Sequence, residues 1–308
     1  MGATAPDVGG DVGGTTLTAA LVDRRGVVLR DVVIPTPRPE GGSRVLEDRI
    51  VEAVDRVSGG TVPPRVGVAA AAFISRDRER ATYAPHLAWR GEPVARTLSE
   101  RIGAPVLLEN DATCAAWGEA TLGAAALADS SITLTVGTGI GGGIVVGGDL
   151  LRGSQGMAGE FGHVRVVPDG RRCPCGARGC WERYVSAGAL VEASRRHGGD
   201  HSWTAQQVGV AAEAGDSAAL AAFAEVGAWL GTGLLAAVAV IDPSVIVVGG
   251  GVGGAGELLL APARRVLARD LVGAPHREAP RVVSAALGNA AGLLGAVMLA
   301  RDAFLGAG

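Results

Sequence analysis

Short apolar runs alternate with Ala-rich stretches along the whole sequence, and this alternation constrains the fold more than any other feature. The runs have the length and composition of buried strands. They lie at residues 66–72, 106–108, 132–136, 144–146 and 245–248. Strands and helices that alternate in this way pack as layers of helices on sheets. The sequence therefore predicts an α/β fold.

Two segments predict helices in different surroundings. Residues 45–57 place apolar side chains near helical spacing between charged ones, which is typical of an amphipathic surface helix. Residues 217–241 are almost wholly apolar and end before Pro243, which cannot continue a helix. The uncharged part of this segment, residues 226–241, is about one turn shorter than a bilayer span. We expect a buried core helix and no membrane partner.

The charge pattern excludes several classes of protein. The chain has 308 residues and no Lys, so its 28 basic residues are all Arg. Walker-type phosphate loops, protein-kinase sites and pyridoxal-phosphate enzymes all need a Lys. The net charge of −3 gives no basic field, so nucleic acid is not an expected partner. The first ten residues lack the pattern of a secretory signal, which favours a cytoplasmic protein with reduced thiols.

Three glycine-rich turns are candidates for a nucleotide site without Lys. The first follows Asp11, and its backbone N–H groups and hydroxyls suit a phosphate, while the Asp11 carboxylate suits a hydrated divalent cation. Taken alone, such a turn is more often a simple β-turn. Two further glycine clusters, each following a strand, strengthen the nucleotide hypothesis. The nucleotide-binding candidates are Asp11, Gly13, Gly14, Thr15, Thr16, Gly137, Thr138, Gly139, Gly249, Gly250 and Gly251. The residues before Asp11, with Pro6 among them, predict a short or distorted first strand.

Three of the four cysteines lie within eight residues of one another and predict a metal site. Cys173, Cys175 and Cys180 are separated by Gly and Pro, and His163 lies ten residues upstream of the first. This is the ligand set of a closed, four-coordinate structural zinc site. A redox role is less favoured because there is no C-x-x-C pair.

Carboxylates near these motifs are candidates for catalysis and for binding a polyhydroxyl ligand. Asp111 follows a predicted strand and precedes a helix, where it would be either the helix N-cap or a general base, and spacing does not separate the two. Glu160, His163 and Glu182 flank the cysteine loop. Folding of that loop would bring them together as a wall of acceptors for a polyhydroxyl ligand.

Together these motifs resemble those of the ROK family (repressors, open reading frames and sugar kinases), and the resemblance extends from Asp11 to about Ala300. It is carried by the motifs DVGGT from Asp11, ENDA from Glu109, GTGIGG from Gly137, AGEFGH from Ala158 and the loop from Cys173 to Glu182. The APHLAWR stretch from Ala84 is similar to bacterial ROK glucokinases. The resemblance implies a two-lobed actin/hexokinase-like (ribonuclease H-like) fold with a zinc-bound loop. It implies a smaller lobe of residues 1–112 and about 290–308, and a larger lobe of residues 113–289 with the zinc loop and nucleotide contacts.

The resemblance also implies an activity and roles for individual residues. Asp111 would be the general base that accepts the proton of the glucose 6-hydroxyl during attack on ATP, as in a glucokinase of glycolysis. Asn110, Asp111, Glu160, His163 and Glu182 would bind the sugar, with zinc structural and magnesium accompanying ATP. Thr16 stands where relatives often have Lys or Asn, which removes a positive charge from the first turn. The alternatives are a kinase for fructose, mannose or an N-acylated hexosamine, or a catalytically silent sugar-binding regulator. A homodimer or homotetramer is the expected assembly.

Overall fold

The computed structural model describes residues 5–305, which contain twelve β-strands and nine α-helices. The strands are β1 (Asp7–Val12), β2 (Thr16–Val22), β3 (Val28–Pro35), β4 (Val66–Ala70), β5 (Phe73–Ile74), β6 (Ala81–Tyr83), β7 (Val106–Asn110), β8 (Ser130–Val136), β9 (Ile140–Val146), β10 (Asp149–Leu150), β11 (Val245–Gly249) and β12 (Arg281–Ser284). The helices are α1 (Gly42–Ser58), α2 (Val94–Ile102), α3 (Asp111–Thr121), α4 (Ala187–Arg196), α5 (Ala205–Glu213), α6 (Ser217–Ile241), α7 (Gly250–Gly253), α8 (Glu257–Asp270) and α9 (Ala291–Leu305). The alternation of strands and helices confirms the predicted α/β class.

The chain forms two compact units of similar size. The first contains residues 1–126, 150–159 and 289–308, and the second contains residues 127–149 and 160–288. The division falls after residue 126 and not after residue 112, because α3 packs along α9. Residues 150–159 also belong to the first unit, although the chain on either side of them belongs to the second.

The first unit is built on a five-stranded sheet of order β3-β2-β1-β4-β7. Strands β1, β2 and β3 are antiparallel, whereas β1, β4 and β7 are parallel and end at the same edge. The expectation of a short or distorted first strand was wrong. Strand β1 begins directly after Pro6 and is central and buried. Its Gly9 lets α9 approach, since a Cβ there would lie 2.8 Å from Leu293 and Val297.

The second unit is built on a five-stranded sheet of order β10-β9-β8-β11-β12. Strands β8 and β9 are antiparallel, and β8, β11 and β12 are parallel. Helix α6 begins after Asp216, whose side chain accepts the N–H of Ala219 at 2.9 Å, and packs against α4, α5 and α8. It ends at Asp242 in a left-handed conformation directly before Pro243.

Helix α6 is the one helix among residues 5–305 that is long and apolar enough to cross a membrane by length and composition. Residues along its length are buried in the core of the second unit, including Phe223, Leu230 and Leu234. Its packing is that of the central helix of a protein core, as the sequence predicts.

Candidate functional site

Asp111 is the first residue of α3, and its neighbour Asn110 is the N-cap. The Asn110 Oδ1 accepts the N–H of Thr113 at 3.0 Å, so the N-cap interpretation of Asp111 was wrong. The Asp111 Oδ1 accepts the N–H of Ala112 at 2.8 Å and the side-chain amide of Asn110 at 3.1 Å. Within residues 5–305, Oδ2 makes no hydrogen bond. One oxygen therefore orients the carboxylate, and the other is available to a ligand.

The side chain of Asn110 is held in place by its hydrogen bonds. Its amide nitrogen donates to the Ala72 carbonyl at 3.2 Å and to Asp111, which uses both of its hydrogens. Its Oδ1 holds the Thr113 N–H and has a second lone pair for one more donor. Asn110 can therefore accept, but not donate, a hydrogen bond at this site.

Asp11 stands near the end of β1, at the same level of the sheet as Ala69 on β4 and Glu109 on β7. Burial, with a smaller contribution from the charge of Asp111, raises the pKa of Asp11 to about 7. Burial also raises the pKa of Asp111. Ionisation of both carboxyl groups is therefore unfavourable. A divalent cation bound there would stabilise their ionised forms.

The first glycine turn joins β1 to β2. The Gly13 N–H donates to the Thr16 carbonyl at 3.0 Å, and the Thr36 hydroxyl donates to the Gly13 carbonyl at 2.7 Å. Gly14 lies against His86, because a Cβ at Gly14 would be 2.9 Å from the His86 Cβ. Gly14, Thr15 and Thr16 are exposed. The turn is thus a rigid surface with hydroxyls and backbone groups open to a ligand.

The second glycine turn lies beside a cleft of about 610 Å³ in the second unit. This volume is in the range of small-molecule sites. The cleft is lined by Gly137, Thr138, Ala187, Leu190, Ala205, Gln206, Gly209, Val210, Glu213, Phe223, Gly251, Val252, Gly254, Ala255 and Leu258. Gly137, Thr138 and Gly251 are thus the predicted nucleotide residues that line it.

The other predicted glycines of the second unit fill tightly packed positions. A Cβ at Gly139 would lie 2.6 Å from the Glu182 Oε2, and one at Gly249 would lie 2.8 Å from the Ala285 Cβ. Gly250 has φ of +85°, and a Cβ there would lie 2.6 Å from the Val136 carbonyl oxygen. These three residues shape the ends of the strands without lining the cleft.

Helix α5 supplies cleft residues that the sequence analysis missed. Gln206, Gly209, Val210 and Glu213 lie along its cleft side. The capping box of Thr204 and Gln207 shows where this helix starts, but nothing in its residue pattern shows that one side lines a cleft.

The predicted metal ligands meet in the second unit. One ligand atom from each of His163, Cys173, Cys175 and Cys180 lies within 4.8 Å of all the others. The Cys175 and Cys180 sulfurs are 3.6 Å apart, and the Cys173 Sγ is 3.9 Å from the His163 Nδ1. Tetrahedral zinc with ordinary bond lengths separates its sulfur ligands by about 3.8 Å. The donor set and its spacing therefore fit a zinc ion.

The local backbone explains this convergence. Residues Arg165 and Cys180 form an isolated β-bridge, and so do Arg172 and Arg178. Gly179 has φ of +76°, and a Cβ there would overlap the Val167 carbonyl oxygen. Burial raises the pKa of the Cys173 and Cys180 thiols, whereas the backbone N–H of Ala177 lowers the pKa of Cys175. A bound cation would stabilise the buried thiolates.

Glu160 and Glu182 stand on different sides of the His163 ring. The Nδ1, which faces the cysteines, is 3.9 Å from the Glu182 Oε1, and the Nε2 is 3.9 Å from the Glu160 Oε2. Glu182 also lies 3.0 Å from the Cys173 Sγ. A metal ion on Nδ1 would fix the orientation of the ring and leave Nε2 facing Glu160. The ring would then bind the metal through one nitrogen and a ligand through the other.

Comparison with known proteins places these features in a family. The model of the ROK family matches residues 8–303. The glucokinase of Streptomyces coelicolor is 40% identical over 312 residues, with 96% of this chain and 97% of the relative covered. The N-acetylmannosamine kinase of Citrobacter koseri is 35% identical over 301 residues, with 94% of this chain and 97% of the relative covered.

A solved structure agrees with this result. A ROK family glucokinase from Streptomyces griseus, in complex with glucose and AMPPNP, superimposes with a TM-score of 0.86. It is 40% identical in sequence, and the match covers 96% of this chain and 99% of that one. The fold predicted from the motifs is confirmed.

Proposed function

Because the chain belongs to the ROK family, we propose that it is a glucokinase, which transfers the γ-phosphoryl group of ATP to the 6-hydroxyl of glucose. The observation that carries this proposal is the geometry of Asp111. Its carboxylate is oriented through one oxygen by Ala112 and Asn110, and these bonds leave its second oxygen for a ligand. The names of the relatives, glucokinases among them, point to the same reaction.

In this reaction Asp111 is the general base. Its Oδ2 accepts the proton of the 6-hydroxyl as that oxygen forms a bond to the γ-phosphorus, and the bond from the γ-phosphorus to the bridging oxygen of ADP breaks. The products are glucose 6-phosphate and ADP. The raised pKa of Asp111 makes its carboxylate a stronger base than an exposed aspartate.

Sugar recognition is assigned to Asn110 and to the residues around His163. In the first unit, the Asn110 Oδ1 accepts a hydrogen bond from a ring hydroxyl, because its amide hydrogens are already used. In the second unit, Glu160, Glu182 and the Nε2 of His163 bind further hydroxyls. Zinc held by Nδ1 and the three cysteines would keep the imidazole ring in place.

The nucleotide is assigned to the glycine turns and the cleft. The nucleoside lies in the cleft of the second unit, against Gly137, Thr138 and Gly251. Its phosphates lie against the first turn and take hydrogen bonds from Gly14, Thr15 and Thr16. Gly13 shapes that turn, because its N–H is already donated to the Thr16 carbonyl. Asp11 would hold the magnesium ion, which supplies charge neutralisation on the phosphates when bound. The absence of Lys makes backbone amides and this cation the main partners of the phosphate charge.

A second candidate substrate is favoured by one comparison. The N-acetylmannosamine kinase of Citrobacter koseri is 35% identical to this chain, so an N-acylated hexosamine is the strongest alternative to glucose. We assign the protein to the cytoplasm, where the cysteine cluster stays reduced and ATP is abundant.

The decisive experiment is a coupled ADP-release assay with Mg-ATP and a panel of sugars. Glucose, mannose, fructose, N-acetylglucosamine and N-acetylmannosamine are compared, and the Asp111→Asn variant is run beside the wild type. We expect turnover with glucose and a loss of about 10²- to 10⁴-fold in kcat for the variant, the usual contribution of a general base. Near-normal kcat in the variant would refute the assignment of Asp111, and turnover with another sugar only would replace glucose. Glucose binding without turnover would favour the sugar-binding regulator.

A further inference from the structure

The residue before Asn110 is a fully buried carboxylate in a dense polar cluster. Glu109 lies on β7 with none of its surface exposed. Its Oε2 accepts from the Arg78 Nε at 3.0 Å and from the Arg152 Nε at 2.5 Å, and its Oε1 accepts from the Arg152 Nη2 at 3.2 Å. The Oε1 also accepts the backbone N–H of Asn110 at 2.9 Å. Both carboxylate oxygens of Glu109 therefore accept hydrogen bonds, two residues before the proposed base.

The charges in this cluster are unequal. One carboxylate faces two guanidinium groups, whose side chains are only 25% and 13% exposed for Arg78 and Arg152. One arginine is sufficient to neutralise a buried glutamate, and a buried surplus charge has a desolvation cost. Arg78 already pairs with Glu109, and Arg152 adds a connection from this cluster to another part of the chain.

Arg152 brings a second part of the chain to the cluster. It belongs to residues 150–159, the segment of the first unit that leads directly into Glu160. Its guanidinium also donates to the Ser75 carbonyl at 3.1 Å and to the Arg76 carbonyl. Its own carbonyl accepts the N–H of Ala158 at 3.1 Å, which closes the segment into a compact loop. One side chain thus fastens this loop to β7 and to the turn after β5.

Glycine at position 156 shows how closely the loop fits. Gly156 has φ of +82°, and a Cβ there would lie 2.5 Å from the Ile74 carbonyl oxygen and 3.2 Å from the Arg152 Nη2. The loop therefore packs against the backbone beside β5 with no space for a side chain. Its position is defined by Arg152 on one side and by this close approach on the other.

We infer that Arg152 is a positioning residue for phosphoryl transfer, which acts through Glu109 on the backbone of Asn110 and through its own loop on the start of Glu160. This inference rests on the proposed function, because it assumes that Asp111 is the base and Glu160 a sugar ligand. Glu109 receives the Asn110 N–H and Arg152 at one oxygen, so the guanidinium and the backbone of the catalytic turn share one anchor. The loop of residues 150–159 is attached to Glu109 and to the Ser75 carbonyl by the same guanidinium.

The first unit contains a matched cluster that serves as a control. Asp7, at the start of β1 and 2% exposed, is bound by the Arg65 Nε at 3.0 Å and the Arg301 Nε at 2.6 Å. It too has one buried carboxylate and two guanidiniums. It lies at the opposite end of the parallel strands from Glu109, where no proposed site residue is found. Arg65→Met and Arg152→Met therefore make the same chemical change at two ends of one sheet.

The test compares the kinetics of these two variants. Each removes one guanidinium and leaves a neutral pair, so both are expected to fold with a similar, modest loss of thermal stability. Arg152→Met is expected to lower kcat with glucose by about tenfold or more and to raise KM for glucose, with KM for ATP unchanged. Arg65→Met is expected to keep wild-type kinetics. Equal kinetics in the two variants would overturn the inference.

Two further measurements separate positioning from stability. Arg152→Lys restores a charge but not the planar fork, so stability is expected to return without the full kcat. In hydrogen exchange of the ligand-free protein, Arg152→Met is expected to increase exchange at both Asn110–Thr113 and Arg152–Gly159, whereas Arg65→Met changes neither. Full recovery of kcat in Arg152→Lys, or unchanged exchange in Arg152→Met, would contradict the inference.

Failure of the inference can be told from failure of the proposed function. If wild-type protein turns over glucose and Asp111→Asn does not, the proposed function holds, and normal kinetics in Arg152→Met refute only the role of Arg152. If Asp111→Asn is fully active, the assignment of Asp111 as the base fails whatever Arg152→Met shows. If the wild-type protein turns over none of the sugars, the proposed function itself fails.

Discussion

In each five-stranded sheet an antiparallel hairpin is followed by two strands parallel to its first strand, but the two sheets offer different chemistry at the ends of those strands. In the first sheet, β1 and β7 end beside carboxylates, namely Asp11, Glu109 and Asp111. In the second sheet, β8 ends directly before Gly137, and β11 ends at Gly249. The first sheet therefore ends in acidic side chains, which suit proton transfer and cation binding. The second sheet ends in glycines, which expose backbone beside a cleft.

The glycines of the two sheets also differ in what they make possible. Gly9 in the first unit allows α9 to approach β1, and Gly250 in the second unit allows the start of α7 to approach the end of β8. Gly137 and Gly251 have no atom within 4 Å of an added Cβ, and both line the cleft. A glycine with free space around it beside a cleft indicates a ligand, whereas a glycine in close contact indicates packing. The following experiments test this difference between the units.

Removal of the metal is expected to have the largest effect and to act on the second unit alone. Cys175→Ser, or a strong chelator, removes ligands that hold the loop of residues 163–182 together, and structural zinc contributes several kcal/mol or more to folding. We expect about one zinc per chain in the wild type, and in the variant faster hydrogen exchange throughout the second unit with little change in β1 and β4.

Cys114 provides the control for that experiment. It is a buried cysteine of α3 in the first unit, outside the metal cluster. Cys114→Ala should keep the zinc content of the wild type. A wild-type protein that is fully folded without zinc would contradict the assignment of the cluster.

Gly250→Ala is expected to have the next largest effect. Its Cβ would lie 2.6 Å from the Val136 carbonyl oxygen, and φ of +85° is unfavourable for alanine. We expect a loss of about 2 kcal/mol or more in the free energy of unfolding, measured by chemical denaturation. A variant as stable as wild type would show that α7 and β8 can separate at no cost.

Much of this molecule was predictable from its sequence because the motifs are local. The strand runs, the buried helix α6 and the cysteine cluster depend on spacing within short segments, and each was predicted. The network of Glu109 was not, because Arg78 and Arg152 are far from it in sequence and arginine is usually solvated. The role of Asn110 as N-cap was missed because α3 begins at Asp111, one residue earlier than it would with Asp111 as the cap.

Ionisation of Asp11 is expected to make the stability of the folded protein depend on pH, with an effect of intermediate size. Its pKa is raised from 3.8 to about 7, first by burial and then by the charge of Asp111, so the folded state favours the protonated form. Its stabilising contribution is complete below pH 3.8 and disappears as the pH rises through about 7. We expect the ligand-free wild type to lose stability relative to Asp11→Asn over this range, as measured by denaturation at several pH values. Magnesium should lower the pKa and reduce the loss, and parallel pH curves for the two proteins would contradict this prediction.

Gly251→Ala is expected to have the smallest effect on the fold and a selective effect on the nucleotide. Its methyl group would meet no atom of the protein within 4 Å, and the residue lies in α7, so stability should not fall. The same methyl group would occupy part of the cleft of about 610 Å³. If the nucleoside binds there, KM for ATP should rise several-fold while KM for glucose stays constant. Unchanged KM for ATP would place the nucleoside elsewhere, and it would show that free space around a glycine in this unit does not mark the ligand.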